Sequence, residues 1–104
     1  MNWYGARSLY LFGIKDNGKK IYEERVVVFS ANDFAEAHKK AELEAETYAK
    51  ENEFEFYPDQ TLYKQDGLNL IDGYEVWSVL YESDDDIEIF YQKKYEAFLY
   101  SSED

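Results

Sequence analysis

Hydrophobic and polar positions change their period along the chain, and each change marks an element. Residues 3–14 and 20–29 are apolar-rich and flank Lys15-Asp16-Asn17-Gly18-Lys19. Asn-Gly between two such runs predicts a β-hairpin, because both residues accept the positive φ of a type I′ turn. With Asn17 and Gly18 as a two-residue loop, counting outward sets Phe12 against Glu23, Tyr10 against Arg25 and Leu9 against Val26. One face then carries Tyr10, Phe12, Ile14, Ile21, Val27 and Phe29, and the other carries Arg7, Leu9, Leu11, Glu24, Val26 and Val28. Both faces are partly apolar, which places the hairpin centrally in its sheet with neither face fully wet.

The period then becomes helical. Asp33-Phe34-Ala35-Glu36 has the spacing of an N-terminal capping box, with Asn32 as the other candidate cap. Phe34, Ala37, His38, Ala41, Ala45, Tyr48 and Ala49 recur at three- and four-residue steps and form one stripe, ending near Asn52. The stripe is mostly alanine, which lets a helix lie close against a sheet. Phe54 and Phe56 alternate with Glu53 and Glu55 as a short strand stopped by Pro58, and Thr61-Leu62-Tyr63-Lys64 reads as another extended piece. Residues 74–81, rich in aromatic and β-branched side chains, predict a further strand. Ser83 to Asp86 repeats the capping-box spacing, and a second helix is expected to about Tyr100, with Ile87, Phe90, Tyr91, Tyr95, Phe98 and Leu99 on one stripe. The whole chain, 1–104, is expected to form one domain of the α+β class. Its order is ββαβ(β)α, an antiparallel sheet with helices packed mainly on one face.

Charge narrows the range of partners. Acidic side chains outnumber basic ones 23 to 11, a formal net charge of −12. The excess lies after the hairpin turn, since residues 1–22 carry Arg7, Lys15, Lys19 and Lys20 against Asp16 alone. Such a field repels phosphate backbones and anionic lipid, so neither nucleic acid nor membrane is expected as a partner, and it draws basic proteins in. The plain alternative is that the negative surface only keeps a small protein soluble. Eleven Tyr, seven Phe and two Trp are too many for a disordered acidic tail, and tyrosine suits faces that are half buried.

Candidate chemistry is sparse. The chain has no cysteine, which excludes disulfides, thiolate metal sites and cysteine nucleophiles and fits a reducing cytoplasm. Its start lacks a basic region followed by an apolar stretch, and the expected location is cytoplasmic. His38 is the one histidine and sits on the apolar stripe, where packing is the usual role. No nucleophile elbow, phosphate-binding loop or dinucleotide fingerprint occurs. Asp84-Asp85-Asp86-Ile87-Glu88 lacks the alternating ligands and central glycine of a calcium loop and sits where a helix favours acidic residues. Arg25 is expected over Tyr10 as a cation–π contact, with Glu24 meeting a nearby basic side chain. No catalytic residue, metal or cofactor is expected.

Trp3-Tyr4-Gly5-Ala6-Arg7, then Tyr22-Glu23-Glu24-Arg25-Val26-Val27-Val28-Phe29, then Glu36-Ala37, then Gly73-Tyr74-Glu75-Val76-Trp77-Ser78-Val79-Leu80 recur in an order that resembles a family of small, uncharacterised bacterial proteins, a domain of unknown function. The resemblance implies a bacterial, stand-alone cytoplasmic domain and brings no activity, cofactor or catalytic residue with it.

Two functions fit these features. The first is a non-enzymatic protein-binding module, an immunity or antitoxin-like inhibitor of a basic toxin domain such as a nuclease, whose phosphate site carboxylates can occupy. The expected contact residues are Tyr81, Glu82, Asp84, Asp85, Asp86 and Glu88 at a strand-to-helix corner, flanked by Tyr91 and Tyr95. The same residues also read as a solvated helix cap beside core tyrosines. The second function is a structural or regulatory homodimer, in which Trp3, Leu9, Leu11 and Val26 are covered by a second copy.

Overall fold

Two long strands, β1 (Asn2–Ile14) and β2 (Lys20–Ala31), form the predicted hairpin. After them come α1 (Phe34–Asn52), the short strands β3 (Glu55–Phe56) and β4 (Thr61–Lys64), and α2 (Ile87–Tyr91), which runs on into a π-helical turn, Gln92–Glu96. In the computed structural model the described residues are 1–66, 72, 73, 75, 77 and 80–99. The order is ββαββα, an α+β arrangement around an antiparallel sheet. β1 is central, with β2 along one edge and β3 and β4 in succession along the other.

Beyond the bulge the faces of the hairpin are as expected, but its register is not. Next to the turn Ile14 sits opposite Lys20, and so on the other face from Ile21, with which it was expected. Gly18 N–H donates to Lys15 O at 2.9 Å, Lys15 N–H donates to Lys19 O at 2.8 Å, and Gly18 has φ +85°. The loop is therefore three residues, Asp16 to Gly18, with glycine in the left-handed position, rather than a two-residue turn. A bulge at Phe12 adds a second slip, between Leu11 opposite Tyr22 and Gly13 opposite Ile21. Tyr10 thus faces Glu23 rather than Arg25, and Leu9 faces Glu24 rather than Val26. Two slips of one residue in the same direction leave every beyond-bulge side chain on its expected face, since the period of a strand is two.

α1 begins at Asp33, whose Oδ1 accepts the Glu36 N–H at 2.8 Å, while Asn32 donates from its side chain to Glu36. Ala37, Ala41, Ala45 and Ala49 are buried against the sheet. Methyl side chains every fourth residue bring the helix close enough for Tyr4 and Tyr10, both fully buried, to fill the layer between. Tyr10 meets Tyr48 edge-on at 4.8 Å and stacks on Phe56 at 6.2 Å. His38 is exposed, contrary to its expected place on the packed stripe, because burial is confined to the alanine row and His38 lies one helical step, about 100°, from Ala37. Glu53 closes the helix in the left-handed region at φ 57°, and the next N–H, that of Phe54, donates back to Ala49 O at 2.8 Å.

The C-terminal expectations fare differently. Of the strand predicted over 74–81, residues 74, 76, 78 and 79 lie outside the described residues. Glu75, Trp77, Leu80 and Tyr81 are described and belong to no strand. Trp77 packs against Tyr63 at 5.7 Å, and the Arg7 guanidinium lies 5.5 Å from its ring. The second helix is capped by Asp86 rather than Ser83. Asp86 Oδ1 accepts the Ile89 N–H at 3.0 Å, and Ser83 Oγ accepts the Asp85 N–H instead. α2 proper spans five residues before widening into the π-helical turn, and Tyr100 lies outside the described residues. Of its stripe only Phe90, packed on Tyr81, is half-buried; Ile87, Tyr91, Tyr95, Phe98 and Leu99 are exposed.

Candidate protein-binding surface

The eight residues expected to meet a partner lie on the segment that enters and forms α2, and all eight are exposed. The geometry of that segment is local. Asp86 caps the helix, and the acidic first turn complements the positive end of the helix dipole. Asp85 is paired with Lys93 at 2.9 Å, two turns further on. Tyr81 packs on Phe90 at 5.7 Å and has the Lys94 ammonium 5.1 Å from its ring. Tyr91 and Tyr95 lie side by side, ring centroids 5.2 Å apart. Among the described residues, Glu82, Asp84 and Glu88 form no ion pair. The surface therefore presents three uncommitted carboxylates beside three half-exposed tyrosines.

Lys93 and Lys94 are the members of this surface that an acid-by-acid reading passes over. The signal was present in the sequence, since Lys93 and Lys94 follow the acidic run within the same predicted helix. Their effect is to commit Asp85 and Tyr81, which leaves Glu82, Asp84 and Glu88 as the available charge.

A second polar cluster joins β2 to α1. Arg25 donates from Nη1 to both carboxylate oxygens of Glu44, and its guanidinium lies 3.8 Å from the centre of the Tyr48 ring. The cation–π partner is thus Tyr48 and not Tyr10, because the register slip moves Arg25 opposite Ser8. Burial works against the Arg25 charge, but the hydrogen bonds and negative charge of Glu44, with a smaller contribution from Tyr10, together outweigh it and hold the guanidinium pKa above its ordinary value. Tyr48 donates its hydroxyl proton to Glu23 at 2.7 Å. That hydrogen bond, assisted by desolvation, pushes the phenol pKa up. Through the Arg25–Glu44 ion pair and the Tyr48–Glu23 hydrogen bond this cluster fastens the helix to the sheet. Glu24, expected beside a basic side chain, forms no ion pair among the described residues.

Among the described residues no group of three or more His, Asp or Glu side chains is placed to hold a metal ion, and no helix is long and apolar enough to cross a membrane. Fold and surface together define a small α+β domain whose helix-backed sheet carries an exposed acidic, tyrosine-flanked segment. The chain belongs to the family DUF4288, a domain of unknown function, whose model matches residues 3–91. The match takes in the hairpin, α1 and α2. No curated protein and no solved structure matches the chain.

Proposed function

We propose that this domain acts by binding another protein, as an immunity or antitoxin-like inhibitor of a basic toxin domain in a bacterial cytoplasm, and that it does so without catalysis. The observation that carries the reading is the run Glu82, Asp84 and Glu88, exposed and without ion pairs among the described residues, beside Tyr81, Tyr91 and Tyr95. Carboxylates of this kind steer a basic surface into contact, and half-exposed tyrosines supply contact area at low entropic cost. A nuclease is a natural target, because its substrate phosphates are held by the same positive groups that carboxylates can occupy.

The test is capture from the native host lysate at low and moderate salt, comparing the wild type with the triple variant Glu82→Lys, Asp84→Lys, Glu88→Lys. These three are chosen because Asp85 is paired with Lys93 and Asp86 caps α2, so altering either also disturbs the helix. The wild type is expected to retain one basic, salt-sensitive partner that the variant loses. Retention of the same partner by the variant would refute the reading.

A second reading is favoured by the sheet face opposite α1, where Leu9 and Val26 are 42% and 44% exposed. Trp3, Leu9, Leu11 and Val26 would there be covered by a second copy, and the domain would serve a structural or regulatory role. On that reading Leu9→Glu dissolves self-association while the triple charge variant leaves it intact.

A further inference from the structure

Among the described residues β2 is an edge strand of twelve residues. Which of its backbone groups face outward follows from β1. Trp3 O accepts from Gln65 N–H and Leu9 O from Tyr57 N–H, so the odd residues of this part of β1 bond away from β2. The even residues Tyr4, Ala6, Ser8 and Tyr10 therefore exchange hydrogen bonds with Phe29, Val27, Arg25 and Glu23. By the same alternation Tyr22, Glu24, Val26, Val28 and Ser30 point their N–H and C=O groups out of the sheet. The Lys40 ammonium on Ser30 O, at 2.6 Å, agrees with that parity. Open edges of this length are templates for another strand.

We propose that two copies of the domain pair through the outer edge of β2, antiparallel and centred on Val26, so that two four-stranded sheets become one of eight. This seam is a strand edge and not the apolar sheet face, and it stands whether or not a basic partner exists. The choice of a second copy rests on self-complementarity. Centred on Val26, all five outward residues find partners within the strand: Val26 meets the partner's Val26, Glu24 the partner's Val28, and Tyr22 the partner's Ser30. The inward set is equally tolerant, with Arg25 beside the partner's Val27 and Glu23 beside the partner's Phe29. Moving the centre to Arg25 or to Glu24 sets like charges face to face, which is destabilising. Moving it to Val27 carries Tyr22 beyond the end of the partner's strand.

Local charge along the strand does not oppose self-pairing. β2 holds Lys20 and Arg25 against Glu23 and Glu24, so it is neutral in a chain of net charge −12. The seam is continuous with apolar surface on α1. Leu43, 66% exposed, shares a groove of about 450 Å³ with Phe29, Thr47 and Tyr48 along the same border. A second copy would bring its own α1 alongside.

Sedimentation equilibrium of the full chain is the first test and is expected to give a dimer. Val26→Pro removes an outward N–H and no hydrogen bond within the monomer. It should therefore keep the wild-type circular dichroism while weakening the dimer by about thirtyfold, the equivalent of the two seam bonds lost. Because the chain has no cysteine, Val26→Cys introduces a unique thiol that should cross-link to itself on oxidation, whereas Val28→Cys, set against the partner's Glu24, should not. A chain that stays monomeric at high concentration overturns the proposal. So does a dimer that survives Val26→Pro but is dissolved by Leu9→Glu, which places the contact on the sheet face, and so does equal cross-linking of the two cysteine variants.

Discussion

α1 and α2 begin alike and end very differently. Each is capped by an aspartate that holds the N–H three residues on, Asp33 on Glu36 at 2.8 Å and Asp86 on Ile89 at 3.0 Å. Each carries acid in its first turn. α1 nonetheless runs for 19 residues, while α2 spans five and then loosens into a π-helical turn. The difference is what lies beneath them. Ala37, Ala41, Ala45 and Ala49 are buried on the sheet, whereas Ile87, Tyr91, Tyr95 and Phe98 face solvent. A cap starts a helix, and tertiary burial of a face carries it on. The comparison also divides the molecule into a packed scaffold of β1, β2 and α1 and an exposed segment, the one proposed to meet a partner.

The largest expected effect comes from the scaffold. Tyr10→Ala removes the side chain that joins β1 to Tyr48, Phe54 and Phe56 and should cost about 4 kcal/mol, read as a lowered urea midpoint. No substitution at Ile87 or Phe98 should approach it. The two caps sharpen the contrast next. Asp33→Ala should cost about 1 kcal/mol of global stability, while Asp86→Ala should leave the global unfolding midpoint unmoved and alter only the local exchange of the α2 amides. The smallest effect is alkaline. Folded Tyr48 holds its proton more tightly than the unfolded chain does, so this contribution is whole below the ordinary tyrosine pKa near 10 and is lost as pH rises through the higher folded value. Tyr48→Phe should flatten that alkaline decline in urea melts.

The scaffold was largely legible in the residues, and for physical reasons. Strand parity survives a double slip, so the faces of the hairpin beyond the bulge could be assigned even though Tyr10 opposes Glu23, while Ile14, after only one slip, changes face. The slips themselves hide well. Asn-Gly serves a three-residue loop as readily as a two-residue one, and the only hint of the bulge at Phe12 is Gly13 inside a strand. His38 and Ala37 look equivalent by spacing, and only the close approach of the alanine row to the sheet separates them. Arg25 was misplaced as a consequence of register alone. The acidic segment shows the other limit. Its apolar stripe is plain in the sequence, but periodicity records which side chains could be buried together and not whether a surface exists to bury them.

The central claim is that the segment from Tyr81 to Tyr95 meets a basic partner while the scaffold only holds it. Hydrogen exchange on the free domain and on its complex with the captured protein tests this most directly. The amides of residues 81–95 should exchange rapidly in the free domain and slow on binding, with those of β1 and α1 protected equally in both. Unchanged exchange across 81–95, with new protection confined to the hairpin or to α1, would contradict the account.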